Sequence, residues 1–312
     1  MGARDPTCLW LADTIRPWVP GVAADVVFVG VPSDLAVNCR PGARFGPRAI
    51  RDGLARLTMY VTDRRQDLSG LVVADAGDVD VVRDLAGNRA RIEEAIGAVT
   101  PSGAVIVLGG DHSLSLPAIR AVARKRAVGR LGLLVFDAHF DSRAPVRGKE
   151  HSGHWFGEVQ SELAGRIAGD NIAIIGLSAC SYSPAYQAAI DARGILSFTA
   201  SEVWRHGARR VIDKCLRRAC DGTTGIYVSV DIDVLHQSCA PGTSVPNPAG
   251  LCPEAVFEGV YLAARSGRLL GLDIAEVNPL VDAGDMTAGV AAHIVMQALA
   301  GIAAARAGRE AS

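Results

Sequence analysis

The sequence predicts an α/β fold of three layers, in which a mainly parallel sheet lies between helices on both faces. Three observations carry this. Six short apolar runs lack the polar alternation of half-exposed strands, so they read as strands covered on both sides. Longer stretches with helical spacing lie between the runs. The two periods alternate along the chain, which implies right-handed parallel crossovers.

The runs are "DVVFVGV" (25–31), "AVIVLGG" (104–110), "LGLLVFD" (131–137), "NIAIIGL" (171–177), "GIYVSVD" (225–231) and "LLGLDIAEV" (269–277), each too short for a typical helix. The helical stretches include "SLPAIRAVARKRA" (115–127), "SEVWRHGARRVIDKCLRRAC" (201–220) with Ser201 as N-cap, and "PEAVFEGVYLAARSG" (253–267) with Pro253 in its first turn. No repeat, low-complexity linker or shift of composition interrupts the chain, so residues 1–312 read as a single domain.

Hydrophobic residues make up 49% and charged residues 21%, the balance of a packed globular chain. The 32 basic and 33 acidic residues are mixed along the sequence and leave no electrostatic footprint for nucleic acid or an anionic membrane, so neither is an expected partner. The start, "MGARDPTCLWLADTIRPWVPG", lacks a sustained apolar segment, and nowhere do 18 uncharged apolar residues run together. A cytoplasmic chain is expected. Its seven cysteines are odd in number, scattered and without C-x-x-C spacing, and are expected to be mostly reduced and packed as small apolar residues. The last helical stretch, "AGVAAHIVMQALAGIAAARAG" (288–308), has apolar faces suited either to subunit contacts or to packing on the sheet.

Ligands of such sheets bind outside the carboxyl ends of the strands, and three of the six runs end in Asp, His or Glu. In "LGGDHS" the glycines let the backbone turn sharply before Asp111 and His112, although a lone histidine there fits a hydrogen-bonded loop as well as a ligand. In "DAHFD" alternate side chains of an extended segment point one way, so Asp137, His139 and Asp141 converge. A solvated turn would share that pattern, but the apolar run before it argues for burial, and buried charges need a cation. Asp231 and Asp233 in "SVDIDVL" are again two apart, and a metal relieves their repulsion. A paired-carboxylate glycosidase would use these acids but leave the histidines unexplained.

Together His112, Asp137, His139, Asp141, Asp231 and Asp233 exceed the four ligands usual for one zinc. They suit two divalent ions bridged by carboxylates, and oxygen-rich ligation with one imidazole per ion favours Mn2+ over Zn2+. Such a pair activates a water, which points to hydrolysis. Glu276, in "DIAEVNP", has no evident metal role; it either pairs with a cationic substrate head such as a guanidinium or amidinium, or is a structural carboxylate. "EHSGHWFGE" (150–158) brings His151, Ser152 and His154 to a loop that could border the site.

The motifs "GGDHS", "DAHFD", "SVDIDVL…APGT" and "EVNPLVD", in this order over most of the chain and preceded by "RPGARFGPRAIR" (40–51), resemble the ureohydrolase superfamily of arginases, agmatinases and formimidoylglutamases. The resemblance implies an arginase-like α/β/α domain, two Mn2+ per chain, hydrolysis of a guanidino or formimino group, and a homotrimer or homohexamer. Carried over by position, one Mn2+ takes His112, Asp137, Asp141 and Asp231, and the other takes Asp137, His139, Asp231 and Asp233. Asp141 would also bond the attacking water, and Glu276 would hold the substrate's cationic nitrogens.

Within the superfamily the signals divide. Arginases and agmatinases carry a proton-shuttling His directly before Gly where this chain has Ser152, and His151 is the candidate replacement. Ser152-Gly153, Arg143 after "DAHFD", Asn38, "APGTSVP" (240–246) and "GLSACSYS" (176–183) resemble formimidoylglutamases, whereas "GGDHS" and "RPGARFGP" are agmatinase-like. Arg143, Asn38, Arg40, Ser152 and Ser181 are candidate substrate contacts, each otherwise an ordinary surface group, and Trp155 is expected to shorten or reshape the pocket. Arg143 favours an acidic substrate over agmatine. The expected activity is formimidoylglutamase, converting N-formimidoyl-L-glutamate to L-glutamate and formamide. An agmatinase or guanidino-acid hydrolase releasing urea is the alternative; a single-metal deacetylase-like enzyme or a metal-free binding protein fits the six ligands less well.

Overall fold

The computed structural model describes residues 5–144 and 150–310, so the first four residues of the amino-terminal segment discussed above lie outside it. The strands are β1 (Arg16–Pro17), β2 (Val26–Gly30), β3 (Tyr60–Val61), β4 (Gln66–Asp67), β5 (Val73–Asp78), β6 (Ala104–Leu108), β7 (Leu131–Phe136), β8 (Ile172–Leu177), β9 (Leu196–Thr199), β10 (Gly225–Asp231) and β11 (Leu269–Ala275). The helices are α1 (Leu11–Thr14), α2 (Gly46–Leu54), α3 (Leu85–Ala98), α4 (Ser115–Lys125), α5 (Trp155–Glu162), α6 (Pro184–Ala192), α7 (Ala200–His206), α8 (Ala208–Cys220), α9 (Pro253–Arg265) and α10 (Met286–Glu310). Nine strands form one parallel sheet in the order β1-β5-β2-β6-β11-β10-β7-β8-β9, and β3 and β4 form a separate antiparallel pair.

Both faces of this sheet are covered, as expected. Leu134 and Phe136 of β7, with Val228 and Val230 of β10, enter a core shared with residues of α2, α8, α9 and α10. Leu133 and Val135 of β7 face the opposite core, built with residues of α3, α4, α5 and α6. All six runs are strands. β1, β5 and β9 escape the sequence pattern because the sheet edge leaves them half-exposed: β5 reads "VADAGD" and β9 "LSFT", without an apolar run.

Three local expectations need correction. Residues 201–220 are two helices, separated at Gly207, whose φ of 85° ends α7. The N-cap is Thr199 instead of Ser201, in a capping box with Glu202. Gly109 and Gly110 have no left-handed backbone; they are needed for close approach, since a Cβ on Gly110 would run into the Ser33 carbonyl oxygen and one on Gly109 would come within 2.5 Å of the Ile274 carbonyl oxygen.

The terminal helix α10 is long and apolar enough to cross a membrane, but its apolar residues are mostly buried, against α9 and α2. They are therefore covered by the chain itself. Of the cysteines only Cys215 is fully buried; Cys8, Cys39, Cys180 and Cys252 are exposed, contrary to the expectation of apolar filler, and all seven are free.

β6, β11, β10 and β7 are neighbours at the centre of the sheet, with Leu108 opposite Ile274, Asp231 opposite Ala275, and Val230 opposite Phe136. Their carboxyl ends lie level, so the residues just beyond them share one crevice.

Candidate active site

The residues beyond these four strand ends form two adjoining clusters. In the first, His112 Nδ1 lies 3.3 Å from Asp137 Oδ2, 3.2 Å from Asp141 Oδ2 and 3.0 Å from Asp231 Oδ2, and all four side chains are buried. In the second, His139 Nδ1 lies 3.0 Å from Asp233 Oδ2 and 3.6 Å from Asp137 Oδ1. Asp137 belongs to both. Asp231 groups with the first cluster, its other oxygen accepting the Asp233 backbone N–H at 2.9 Å.

The convergence does not arise as the sequence suggested. β7 ends at Phe136, and residues 137–141 form a loop in which Asp141 has a φ of 44°. That left-handed turn, instead of extended alternation, brings Asp141 to His112. The carboxylates fit a hard divalent cation with nitrogen co-ligands. Buried His112 Nδ1 and Asp137 Oδ2 have no hydrogen-bond partner among the described residues, as metal-facing lone pairs would not.

Sequence reading missed the support beneath His112. Tyr227 and Ser229 both donate to the buried Asp273 carboxylate, at 2.8 and 2.7 Å, and His112 Nε2 is 2.9 Å from the Ser229 hydroxyl oxygen. Since that hydroxyl spends its proton on Asp273, it accepts from Nε2–H, and the imidazole presents Nδ1 to the carboxylates. Ser229 and Asp273 face each other across β10 and β11. Their signal was two polar residues inside runs otherwise apolar.

Trp155 also differs from expectation. It is fully buried, packs on the His112 ring with centroids 4.7 Å apart, and donates from Nε1 to Asp141 Oδ2 at 3.0 Å. It lies beneath the clusters and does not shorten the mouth.

Glu276, at a φ of 64° just after β11, is buried; Oε1 accepts the His112 backbone N–H at 3.0 Å and Oε2 the Ser244 hydroxyl at 2.5 Å. Each oxygen keeps a lone pair for a cationic group. His151 is buried, with Nε2 unpartnered among the described residues and Nδ1 3.4 Å from Asn38 Nδ2. Its Nδ1 and Asp141 Oδ1 approach one point, lying 3.2 and 3.3 Å from where a Cβ on Gly153 would stand.

Asn38 itself is exposed, and the Ser152 backbone N–H donates to Ala36 O at 2.7 Å, tying the two loops together. Arg143 is half-buried with its guanidinium 5.7 Å from the Tyr182 ring centre, and Ser181 lies in the same loop as Tyr182. His154 does not reach the clusters' ligands; its Nδ1 donates to the Arg143 carbonyl at 2.5 Å. Arg40 is exposed, and its carbonyl accepts from Asn278 Nδ2 at 2.7 Å.

So many buried charges shift one another. Burial, reinforced by Asp233, pushes Asp231 up to about 7, and burial with Asp231 and Asp111 pushes Glu276 up to about 8. Burial alone lowers His139, but Asp233 and Asp137 overcome it and hold it up at about 10. Burial likewise opposes the charge on His112, and the nearby carboxylates of Asp137, Asp141 and Asp231 more than reverse this.

For Asp231 and Glu276 the folded values lie above the ordinary carboxylate range. Their protonated forms therefore stabilise the metal-free fold at low pH, and this contribution is lost as pH rises through about 7 and 8. A bound cation favours the ionised forms. The gain in Tm on adding Mn2+ is expected to be larger at pH 8 than at pH 6, by roughly 2–4 °C per kcal/mol of linkage. Differential scanning fluorimetry at the two pH values checks this, and equal gains would contradict it.

Known proteins share this fold. The Arginase family model matches residues 24–301. A formimidoylglutamase of Halalkalibacterium halodurans is 33% identical over 277 residues, covering 88% of this chain and 86% of that protein. The crystal structure of formimidoylglutamase from Bacillus subtilis subsp. subtilis str. 168 superposes with a TM-score of 0.88 at 29% identity, over 97% of this chain and 94% of that one. A Trypanosoma cruzi formiminoglutamase structure with Mn2+ gives a TM-score of 0.83 at 27% identity, over 90% and 94%. Agmatinase of Gallus gallus and guanidino acid hydrolase of Homo sapiens are further relatives. The chain belongs to the arginase family, as a hydrolase of the C–N bonds of amidino groups.

Proposed function

We propose that the chain is a formimidoylglutamase that hydrolyses N-formimidoyl-L-glutamate to L-glutamate and formamide with two Mn2+ per chain. One ion would be held by His112, Asp137, Asp141 and Asp231, the other by Asp137, His139 and Asp233. The observation that carries the substrate is Arg143. It extends from the loop that also holds Asp141, half-buried beside Tyr182, where a cation suits a substrate carboxylate and repels the second cation of agmatine. The names of the Halalkalibacterium halodurans and Trypanosoma cruzi relatives support the same reading.

When bound, the Mn2+ ions act as Lewis acids that make a water nucleophilic at neutral pH. Glu276 pairs with the N–H groups of the amidinium and turns its carbon toward the clusters. Asp141 Oδ1 takes a proton as the water oxygen bonds to that carbon. His151 delivers a proton to the glutamate nitrogen, the C–N bond to it breaks as the hydroxyl on the carbon gives up its proton to the freed amine, and formamide and the ammonium of glutamate leave; the proton held by Asp141 then returns to His151. Asn38, Ser152 and Ser181 complete the rim on which the amino-acid end rests.

Guanidino acids form the second reading, since they carry the same carboxylate and a similar planar cation, and guanidino acid hydrolases are among the relatives. Mn2+-loaded protein should release formamide from N-formimidoylglutamate. Arg143→Ala should raise KM for it about 10–100-fold, the loss of a hydrogen bond to a charged group, with little change for agmatine. Urea from guanidino acids without formamide would replace the first reading by the second.

A further inference from the structure

Trp155 touches two members of the first cluster at once: the His112 ring through its face and Asp141 Oδ2 through Nε1. Asp141 needs such support. Its φ of 44° is a conformation that residues with a Cβ keep only when their surroundings impose it. The first turn of α5 supplies the restraint, because the Phe156 and Gly157 backbone N–H groups donate to the Asp141 carbonyl at 3.0 and 3.4 Å. Backbone and carboxylate of Asp141 are thus both gripped by the start of one helix.

The grip on the carboxylate is directional. Oδ2 receives the indole N–H and is also the oxygen 3.2 Å from His112 Nδ1, whereas Oδ1 is turned toward the space above Gly153 that His151 shares. Among the described residues the indole N–H is the one donor hydrogen-bonded to this carboxylate, and without it a half-turn about the Cβ–Cγ bond would exchange the two oxygens.

We propose that Trp155 is a positioning residue: its indole N–H fixes the rotation of the Asp141 carboxylate, committing Oδ2 to the His112 cluster and Oδ1 to the His151 side, and thereby raises the Mn2+ affinity of that cluster. The inference rests on reading the cluster as a Mn2+ site. Partners of ligating groups at this remove typically change metal affinity about 10–100-fold. Bulk alone would act otherwise, since Trp155 also packs on Phe156, with ring centroids 5.6 Å apart, and a filler role would show in stability and not in affinity.

The sharpest test replaces Trp155 by β-(3-benzothienyl)alanine, which keeps the bicyclic shape and exchanges the N–H for sulfur. The metal-free Tm should be retained, while the Kd for Mn2+, measured by electron paramagnetic resonance of the free ion, should rise about 10-fold or more. Trp155→Phe should show the same loss of affinity on top of a lowered Tm. Phe156→Leu should lower Tm and leave the affinity unchanged. Wild-type binding with both Trp155 variants within about twofold of it would overturn the role of the N–H alone. A wild-type chain that takes up no Mn2+ would remove the metal reading and this inference together.

Discussion

An Asp137→Asn protein is expected to lose Mn2+ from both clusters at once, and amidine hydrolysis with it. Asp137 is fully buried and is the one residue shared by the two groups, with Oδ2 toward His112 and Oδ1 toward His139. Oδ1 also accepts the His139 backbone N–H at 2.6 Å, which fixes the carboxylate between the clusters. An amide would keep the shape but remove the charge and turn N–H protons toward one imidazole or the other. Removing one partner of a buried charged set costs about 3–5 kcal/mol, on the order of 10²–10⁴-fold in affinity in total. His139→Asn touches the second cluster alone and should cost a single ion. Metal analysis after dialysis separates the cases: about two Mn2+ per wild-type chain, one for His139→Asn and less than one for Asp137→Asn. Wild-type metal content in Asp137→Asn would end the bridging assignment.

The second large effect is expected from His151→Ala. The imidazole is buried, Nε2 has no partner among the described residues, and Nδ1 shares the space above Gly153 with Asp141 Oδ1. Ser152 cannot move a proton as an imidazole does, so in the proposed reaction His151 is the group that protonates the leaving nitrogen. Loss of a general acid typically costs about 10²–10⁴-fold in rate. The fall should be in kcat with KM little changed, the pH profile should lose a limb, and added imidazole should restore part of the rate. Unchanged kcat with an unchanged pH profile would free His151 of this role.

Much of the fold was legible because buried parallel strands must be apolar on both faces, and β2, β6, β7, β8, β10 and β11 all are. β5, next to the short edge strand β1, and the edge strand β9 were not, since half-exposed strands have no reason to carry such runs. The two clusters were legible for a related reason: Asp and His at the ends of apolar runs are costly unless something cationic meets them. What alternation could not convey is the left-handed turn at Asp141, which depends on α5 holding the loop. Trp155 read as a rim residue because a large aromatic beside a loop gives no sign of which way its N–H points. Ser229 and Asp273 were visible as polar interruptions, and only the register of β10 with β11 shows that they meet.

The order of those central strands has a further consequence. The first cluster joins groups from residues 112–141 with Asp231, and the second adds Asp233, yet β10 lies between β7 and β11, the last strand to be made. A chain still emerging from synthesis presents a histidine and carboxylates of the early half without the strand that closes around them. Uptake of an ion there would in this sense report on topology: tight binding would become available only after pairings distant in sequence, the slowest to form, are in place.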